Sequence, residues 1–245
     1  MVTAMTEAGL SIRDLVHRYG ERTALDGVSF DVPAGRFCAL LGPNGAGKST
    51  LFARLTGLLA GPKGAIRIAG HDIRSESTRA LAKLGVVFQA PTLDMDLSVE
   101  QNLRYYAALH GLSGSAARTR IAASLERLGM AERAHEKARS LNGGHRRRAE
   151  IARALLHEPK VLLLDEPTVG LDAASRGAIT AHVHALARED GMTVLWATHL
   201  VDEVSPEDDL VILHRGRVLR NATAGAVARG GPLGDEFLRI TGEAA

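Results

Sequence analysis

The sequence predicts an α/β fold, with a buried parallel sheet, an antiparallel strand pair ahead of it and an inserted run of helices, and three stretches carry that reading. The apolar run Phe37-Cys38-Ala39-Leu40-Leu41 passes through a glycine-rich turn, Gly42-Pro43-Asn44-Gly45-Ala46-Gly47-Lys48-Ser49-Thr50, into the helix-compatible segment Leu51 to Thr56. Strand, tight turn and helix in that order form the building unit of a parallel sheet. Val161-Leu162-Leu163-Leu164 is a continuous apolar run, as a central strand buried on both faces requires. Between the two, from Ser98 to Gly129, apolar residues fall at helical spacing (Leu103, Tyr106, Ala107, Leu109; then Ile121, Leu125, Leu128).

The elements follow in order. Leu10 to Tyr19 alternates loosely, and Ala24 to Val32 reads as its partner strand with Asp26-Gly27 as a turn or bulge. Pro33-Ala34-Gly35 breaks the chain before the glycine-rich unit. After that unit, Leu58 to Gly64 is a turn cluster and Ala65 to Gly70 a short alternating strand; Gly85 to Gln89 is a β-branched run closed by Pro91, with Gln89 at its exit. A helical insertion over 91–157 is broken at Gly111 to Gly114 and ends in a helix from Arg146 to Leu156. The α/β pattern resumes with the Val161 strand, a helix over Asp172 to Asp190, a strand over Thr193 to Thr198 and a terminal hairpin around Arg215-Gly216. Asn221 to Ala245 is rich in small residues and too short for an added domain. One domain over 1–245 is therefore expected: a core with its β subdomain (1–90 and 158–220), a helical subdomain (91–157) and a short extension (221–245).

Composition narrows the function classes. The 245 residues are 45% hydrophobic and 24% charged, as in an ordinary globular chain, and the formal charge of +2 lacks the basic footprint of a nucleic-acid binder. A lone cysteine, Cys38, excludes an internal disulfide framework and sits where a buried, inert thiol is expected. No apolar stretch approaches the ~20 residues that span a bilayer. Met1 to Gly9 lacks the apolar core of a signal peptide. A cytoplasmic chain without direct membrane insertion is the expectation.

Three stretches carry chemistry. In the Gly42–Thr50 turn the glycines permit a tight bend that points backbone N–H groups inward as a nest for phosphate oxygens, and the following helix adds its positive end. Lys48 can reach terminal phosphates as a point charge, and Ser49 can offer its hydroxyl to Mg²⁺. Asp165 and Glu166 end the Val161 strand, at the edge where parallel sheets place ligands: Asp165 suits Mg²⁺, while Glu166, pointing differently, can orient or deprotonate a water. Leu141-Asn142-Gly143-Gly144-His145 before a helix makes a second anion nest or simply a helix-entry turn, and Arg146 to Arg148 alone read as a solvated helix face. Tyr19 either stacks on a base or caps a sheet edge.

Together these stretches resemble the nucleotide-binding subunit of ABC (ATP-binding cassette) transporters over nearly the whole chain. The resemblance implies a P-loop NTPase (RecA-like) core, ATP and Mg²⁺ as ligands, and ATP hydrolysis coupled to transport. It makes Tyr19 the adenine-stacking aromatic, Gly42 to Thr50 the Walker A loop, Gln89 the Q-loop glutamine beside Mg²⁺, Leu141 to His145 the signature loop, Asp165 the end of Walker B, Glu166 the catalytic carboxylate, Asp172 the D-loop aspartate and His199 the switch histidine. It also implies two cassettes packed head to tail. Asn142, Gly143 and Gly144 of one would then close on the γ-phosphate held by Lys48 of the other, with Asp172 tying the sites together. The sequence departs from the family at Asn142, where serine is usual, and at His145, where glutamine is usual.

The run from Leu93 to Gly111 looks like cassettes of the ABC-2 type export group, docked at the inner face of the plasma membrane on a separate integral permease. Leu93, Met95 and Leu97 are candidates to receive a helix of that permease, or are ordinary packing. Two alternatives stand beside the transport motor: a soluble non-transport ABC ATPase, and a low-turnover regulatory cassette suggested by Asn142 and His145.

Overall fold

The computed structural model describes residues 8–61 and 63–242. Pro62, in the turn cluster, and residues 1–7, on which the expectation of no signal peptide falls, lie outside them, as do residues 243–245. The chain opens on two long strands, β1 (Ala8–Tyr19) and β2 (Arg22–Pro33), that pair antiparallel. Their register slips between Leu15 and His17, opposite Asp26-Gly27, where Gly27 takes φ 70°; the pair is a bulge and not a turn. β3 (Phe37–Leu41) and α1 (Lys48–Leu55) flank the glycine-rich loop, followed by β4 (Lys63–Ile68), β5 (His71–Asp72), α2 (Ser77–Leu81) and β6 (Leu84–Val87). Next come the helices α3 (Val99–Leu109), α4 (Gly114–Arg127) and α5 (Gly143–Leu155). β7 (Val161–Asp165), α6 (Ala173–Asp190), β8 (Thr193–Thr198), β9 (Asp209–His214) and β10 (Arg217–Thr223) complete the core, and α7 (Ala224–Ala228) and α8 (Leu233–Thr241) end the chain.

Two sheets result. β2-β1-β4-β5 is antiparallel, whereas β10-β9-β3-β8-β7-β6 is parallel except for its β9–β10 hairpin. Every side chain of β3, β7 and β8 is buried, so alternate residues feed two cores. Phe37, Ala39, Leu41, Leu162, Leu164 and Trp196 face α6 and the helices α3 to α5. Cys38, Leu40, Leu163, Leu195 and Ala197 face α1 and the antiparallel sheet. Full burial pushes the Cys38 thiol pKa far up, so this cysteine is an inert core residue.

The parallel order matters most for function. β3, β8, β7 and β6 are neighbours, and their carboxyl ends set the glycine-rich loop, His199, Asp165-Glu166 and Gln89 side by side along one edge.

The structure corrects two expectations and refines two others. α5 starts at Gly143, three residues before Arg146, because the Asn142 side chain caps it by accepting the His145 amide at 2.8 Å. Arg147 is buried, not a solvated face residue, since it is taken up by a buried ion pair and two backbone carbonyls. Of the two readings of Leu93, Met95 and Leu97, the packing one describes Leu93, which is buried in the core with Val99 and Leu103, and Met95 packs partly against the same cluster. The short 221–245 stretch, expected to be no added domain, carries two helices, α7 and α8, and Phe237 buries against the α6 side of the sheet.

Candidate active site

The glycine-rich loop takes its shape from close backbone packing. Gly47 sits at φ 112°, and a side chain there would meet the Ala24 carbonyl oxygen at 2.7 Å. Gly216, in the β9–β10 turn at φ 77°, accepts the Asp26 amide and donates its own to the Ala46 carbonyl, both at 2.8 Å. It thus pins the hairpin to both the loop and β2, and a Cβ would strike Ala24. This glycine carries no motif and escaped the sequence reading, although Arg215-Gly216 marked the turn. Two loop residues use their amides internally: Gly42 donates to Thr198 at 3.3 Å and Ala46 to Pro43 at 3.2 Å. The Leu51 amide closes the first turn of α1 on Gly47, leaving Lys48, Ser49 and Thr50 at the helix start, where orphan N–H groups gather.

A cleft of about 380 Å³ opens over this loop. Its lining comprises Pro43, Asn44, Gly45, Gly47, Lys48, Ser49 and Thr50 of the loop and helix start, Gln89 and Glu166, and Tyr19 with Arg22, Thr23, Ala24 and Arg215. Tyr19 is 52% exposed and braced edge-on by His17, its ring centroid 4.7 Å away, so an aromatic face is available at the rim.

Glu166 is the junction of the site. One carboxylate oxygen lies 3.1 Å from Lys48 Nζ; the other accepts from Gln89 Nε2 at 3.3 Å and lies 3.4 Å from His199 Nδ1. Lys48 also donates to the Gly42 carbonyl at 2.6 Å and the Pro43 carbonyl at 3.3 Å. Glu166 itself holds φ 46°, a left-handed conformation that a non-glycine residue adopts at a cost of about 1–3 kcal/mol. Asp165 ends β7 with 7% exposure; burial first, then the neighbouring Glu166, push its carboxyl up to about 6, with Lys48 and Arg147 working the other way.

A second buried carboxylate supports this edge. Glu203, 3% exposed, accepts from Trp196 Nε1 at 3.0 Å and Thr198 Oγ1 at 2.5 Å, and also from Thr168 Oγ1. It ties the loop after Glu166 to the strand end that carries His199. Nothing in the sequence reading pointed to it; the only signal was an acidic residue four positions after His199.

The remaining candidates lie elsewhere in the chain. Asn142, Gly143, Gly144, His145 and Asp172 do not line the cleft. They form a cluster of their own: a side chain at Gly143 would meet Leu171 at 2.9 Å and one at Gly144 would meet Ser175 Oγ at 2.8 Å, so the first turn of α5 lies flush against the start of α6. Asp172 caps α6 through the amide and hydroxyl of Ser175, at 2.9 and 2.7 Å. Burial, with Arg133 and Arg148 nearby, lowers the His145 pKa, so its imidazole is neutral near pH 7.

Comparison with known proteins agrees with this geometry. A family model described as "ABC transporter" matches residues 25–169. The linearmycin resistance ATP-binding protein LnrL of Bacillus subtilis is 38% identical over 215 residues, 87% of this chain and 69% of that protein. The daunorubicin resistance ATP-binding protein DrrA3 of Streptomyces coeruleorubidus is 36% identical over 242 residues, 98% of this chain and 76% of the relative. The Nod factor export ATP-binding protein I of Ralstonia nicotianae is 39% identical over 209 residues, 85% of this chain and 65% of that protein. Among solved structures, an ATP-binding subunit of an ABC transporter superposes with TM-score 0.83 at 29% identity, covering 95% of this chain and 99% of that one. The cassette MJ0796, solved as a dimer in a post-hydrolysis state with ADP and Pi, gives TM-score 0.77 at 28% identity over 87% of this chain and 98% of its own. Among the described residues no helix is long and apolar enough to cross a membrane. The chain belongs to the ABC transporter family, as an ATP-binding, ATP-hydrolysing subunit.

Proposed function

We propose that this chain is the motor of an ABC-2 type exporter, working as a pair of identical cassettes beneath a separate membrane permease at the cytoplasmic face. The observation that carries the reading is the division of the site. Lys48, Gln89 and Glu166 line the cleft and His199 stands behind Glu166, 3.4 Å from its carboxylate, while the second amide-rich turn, Asn142 to Gly144, stands apart from it. Phosphoryl transfer is accelerated by donors placed around the developing charge, and a second copy packed head to tail would bring this turn to the phosphates. The export assignment rests on LnrL, DrrA3 and the Nod factor protein, whose names speak of resistance or export.

In this reading Tyr19 stacks on adenine, the loop amides and Lys48 cradle the phosphates, and Glu166 polarises the attacking water while His199 holds the γ-phosphate side. The Ser49 hydroxyl, the Gln89 carboxamide and the Asp165 carboxylate make a hard oxygen set that fits Mg²⁺. Among the described residues no group of three or more His, Cys, Asp or Glu could hold a metal alone, which suits an ion whose other ligands are phosphates and water. Bound there, Mg²⁺ would neutralise charge on the β- and γ-phosphates. Asn142 favours a working signature over a silent one: its Oδ1 is occupied by the cap, which leaves the Nδ2 hydrogens as donors for a partner's phosphate.

Two measurements test the proposal. Purified protein should hydrolyse ATP only with Mg²⁺, and tagged protein drawn from native membranes should bring down a polytopic membrane protein. Retrieval of soluble partners alone would favour the non-transport reading, and no turnover even in the assembled complex would favour the regulatory one.

A further inference from the structure

α5 does more than present the turn at its start. One residue beyond the Arg146 position, Arg147 is 7% exposed and its guanidinium grips two consecutive carbonyls: Nη1 donates to Phe88 at 2.7 Å and Nη2 to Gln89 at 2.9 Å. The same Nη1 reaches Glu150 Oε2 at 2.8 Å, one turn along the helix. Glu150, 2% exposed, turns its other oxygen to the far side of the loop and accepts the Thr92 amide at 2.6 Å and hydroxyl at 3.2 Å. Arg153, another turn on, donates to the Thr92 carbonyl at 2.8 Å. One face of α5 thus fastens the Phe88–Thr92 segment at both ends, and Gln89 within it holds Glu166.

We propose that Arg147 is a positioning residue, which, held by Glu150, fixes the Gln89 backbone and so the placement of Glu166. The planar fork of an arginine suits two adjacent carbonyl oxygens; a lysine ammonium, a single point charge, cannot hold both in one plane. A buried ion pair is a poor device for stability alone, since apolar residues of like volume generally serve as well. What the pair provides here is direction. Arg147 lies one helical turn from Gly143 and Gly144, so any shift of that turn against a second cassette passes through the fork to the chain's own Glu166. The inference rests on the reading that Glu166 acts on water.

The test uses the full chain and two variants. Arg147→Lys keeps the charge and loses the fork; Arg147→Gln with Glu150→Gln removes both charges together, so neither is stranded in the interior. Each is compared with wild type for kcat, KM, binding of a fluorescent ATP analogue and hydrogen exchange over residues 86–92. The expected result is a fall in kcat of about tenfold or more, with KM and nucleotide affinity within about twofold and faster exchange at 88–92. A folded variant that keeps kcat within about twofold, loses only nucleotide affinity, or loses kcat with unchanged exchange would overturn the inference. Equal turnover by wild type and Glu166→Gln would remove the glutamate reading itself, and this inference with it.

Discussion

At Glu166 a single side chain is asked to face a lysine, an amide and an imidazole at once, and the backbone is bent into the left-handed region to allow it. Glu166→Gln keeps the size and the hydrogen-bonding reach but removes the base. Turnover should fall by roughly 10²–10⁴-fold with nucleotide affinity kept, as read from kcat beside a binding isotherm. Lys48→Ala should do the reverse, weakening nucleotide binding by roughly 10–100-fold, the worth of a charge-assisted contact. The motif residues were legible because loop, carboxylate pair and histidine are written in order along the chain. Arg147 and Glu203 were not. A burial decision depends on what packs above a helix face, and neither a three-arginine run nor one glutamate after a strand states that locally.

Among elements, α5 shows how a helix start can serve two ends. Asn142 caps it, so Asn142→Ala should cost about 1 kcal/mol, a fall of about 2–4 °C in melting temperature. Asn142→Ser should restore the melt. A second prediction concerns His157, just after α5, which stacks on His110 with ring centroids 3.9 Å apart, near Tyr106 and Arg153. Burial first, and then His110, push its pKa from 6.5 down to about 4, while its bond to the Leu84 carbonyl opposes the shift. The folded state therefore keeps the imidazole neutral where the unfolded chain would protonate it. Stability is complete above pH 6.5 and falls as pH drops through 6.5 toward 4, by about 1–2 kcal/mol after allowing for partial solvent screening. Urea midpoints at pH 7.5 and 5 should show this slope in wild type and a flatter one in His157→Gln; equal slopes would assign the effect to another group. Strands and long helices were legible from periodicity. The start of α5 was misplaced because two glycines read as a loop, although a side-chain cap and a tight fit against α6 make them helical. α7 was missed because Ala224 to Ala228 are small residues with a weak pattern until β10 offers them a surface, and α8, which packs on α7, is amphipathic but short.

For the molecule as a whole, the six-stranded sheet separates two cores and lines up four loops along one edge, which explains why residues from Gly42 to His199 can act together. The same architecture leaves Asn142 to Gly144 outside the cleft they would close, beside Asp172. That arrangement was legible only through family resemblance, because no spacing in one chain states that its site is shared. The direct test is the mass of Glu166→Gln in solution by sedimentation, with and without ATP and Mg²⁺. The shared site predicts a monomer without nucleotide, a dimer with it, and loss of that dimer when Gly143→Asp is added. A monomer at saturating ATP, with binding demonstrated in the same sample, would contradict it.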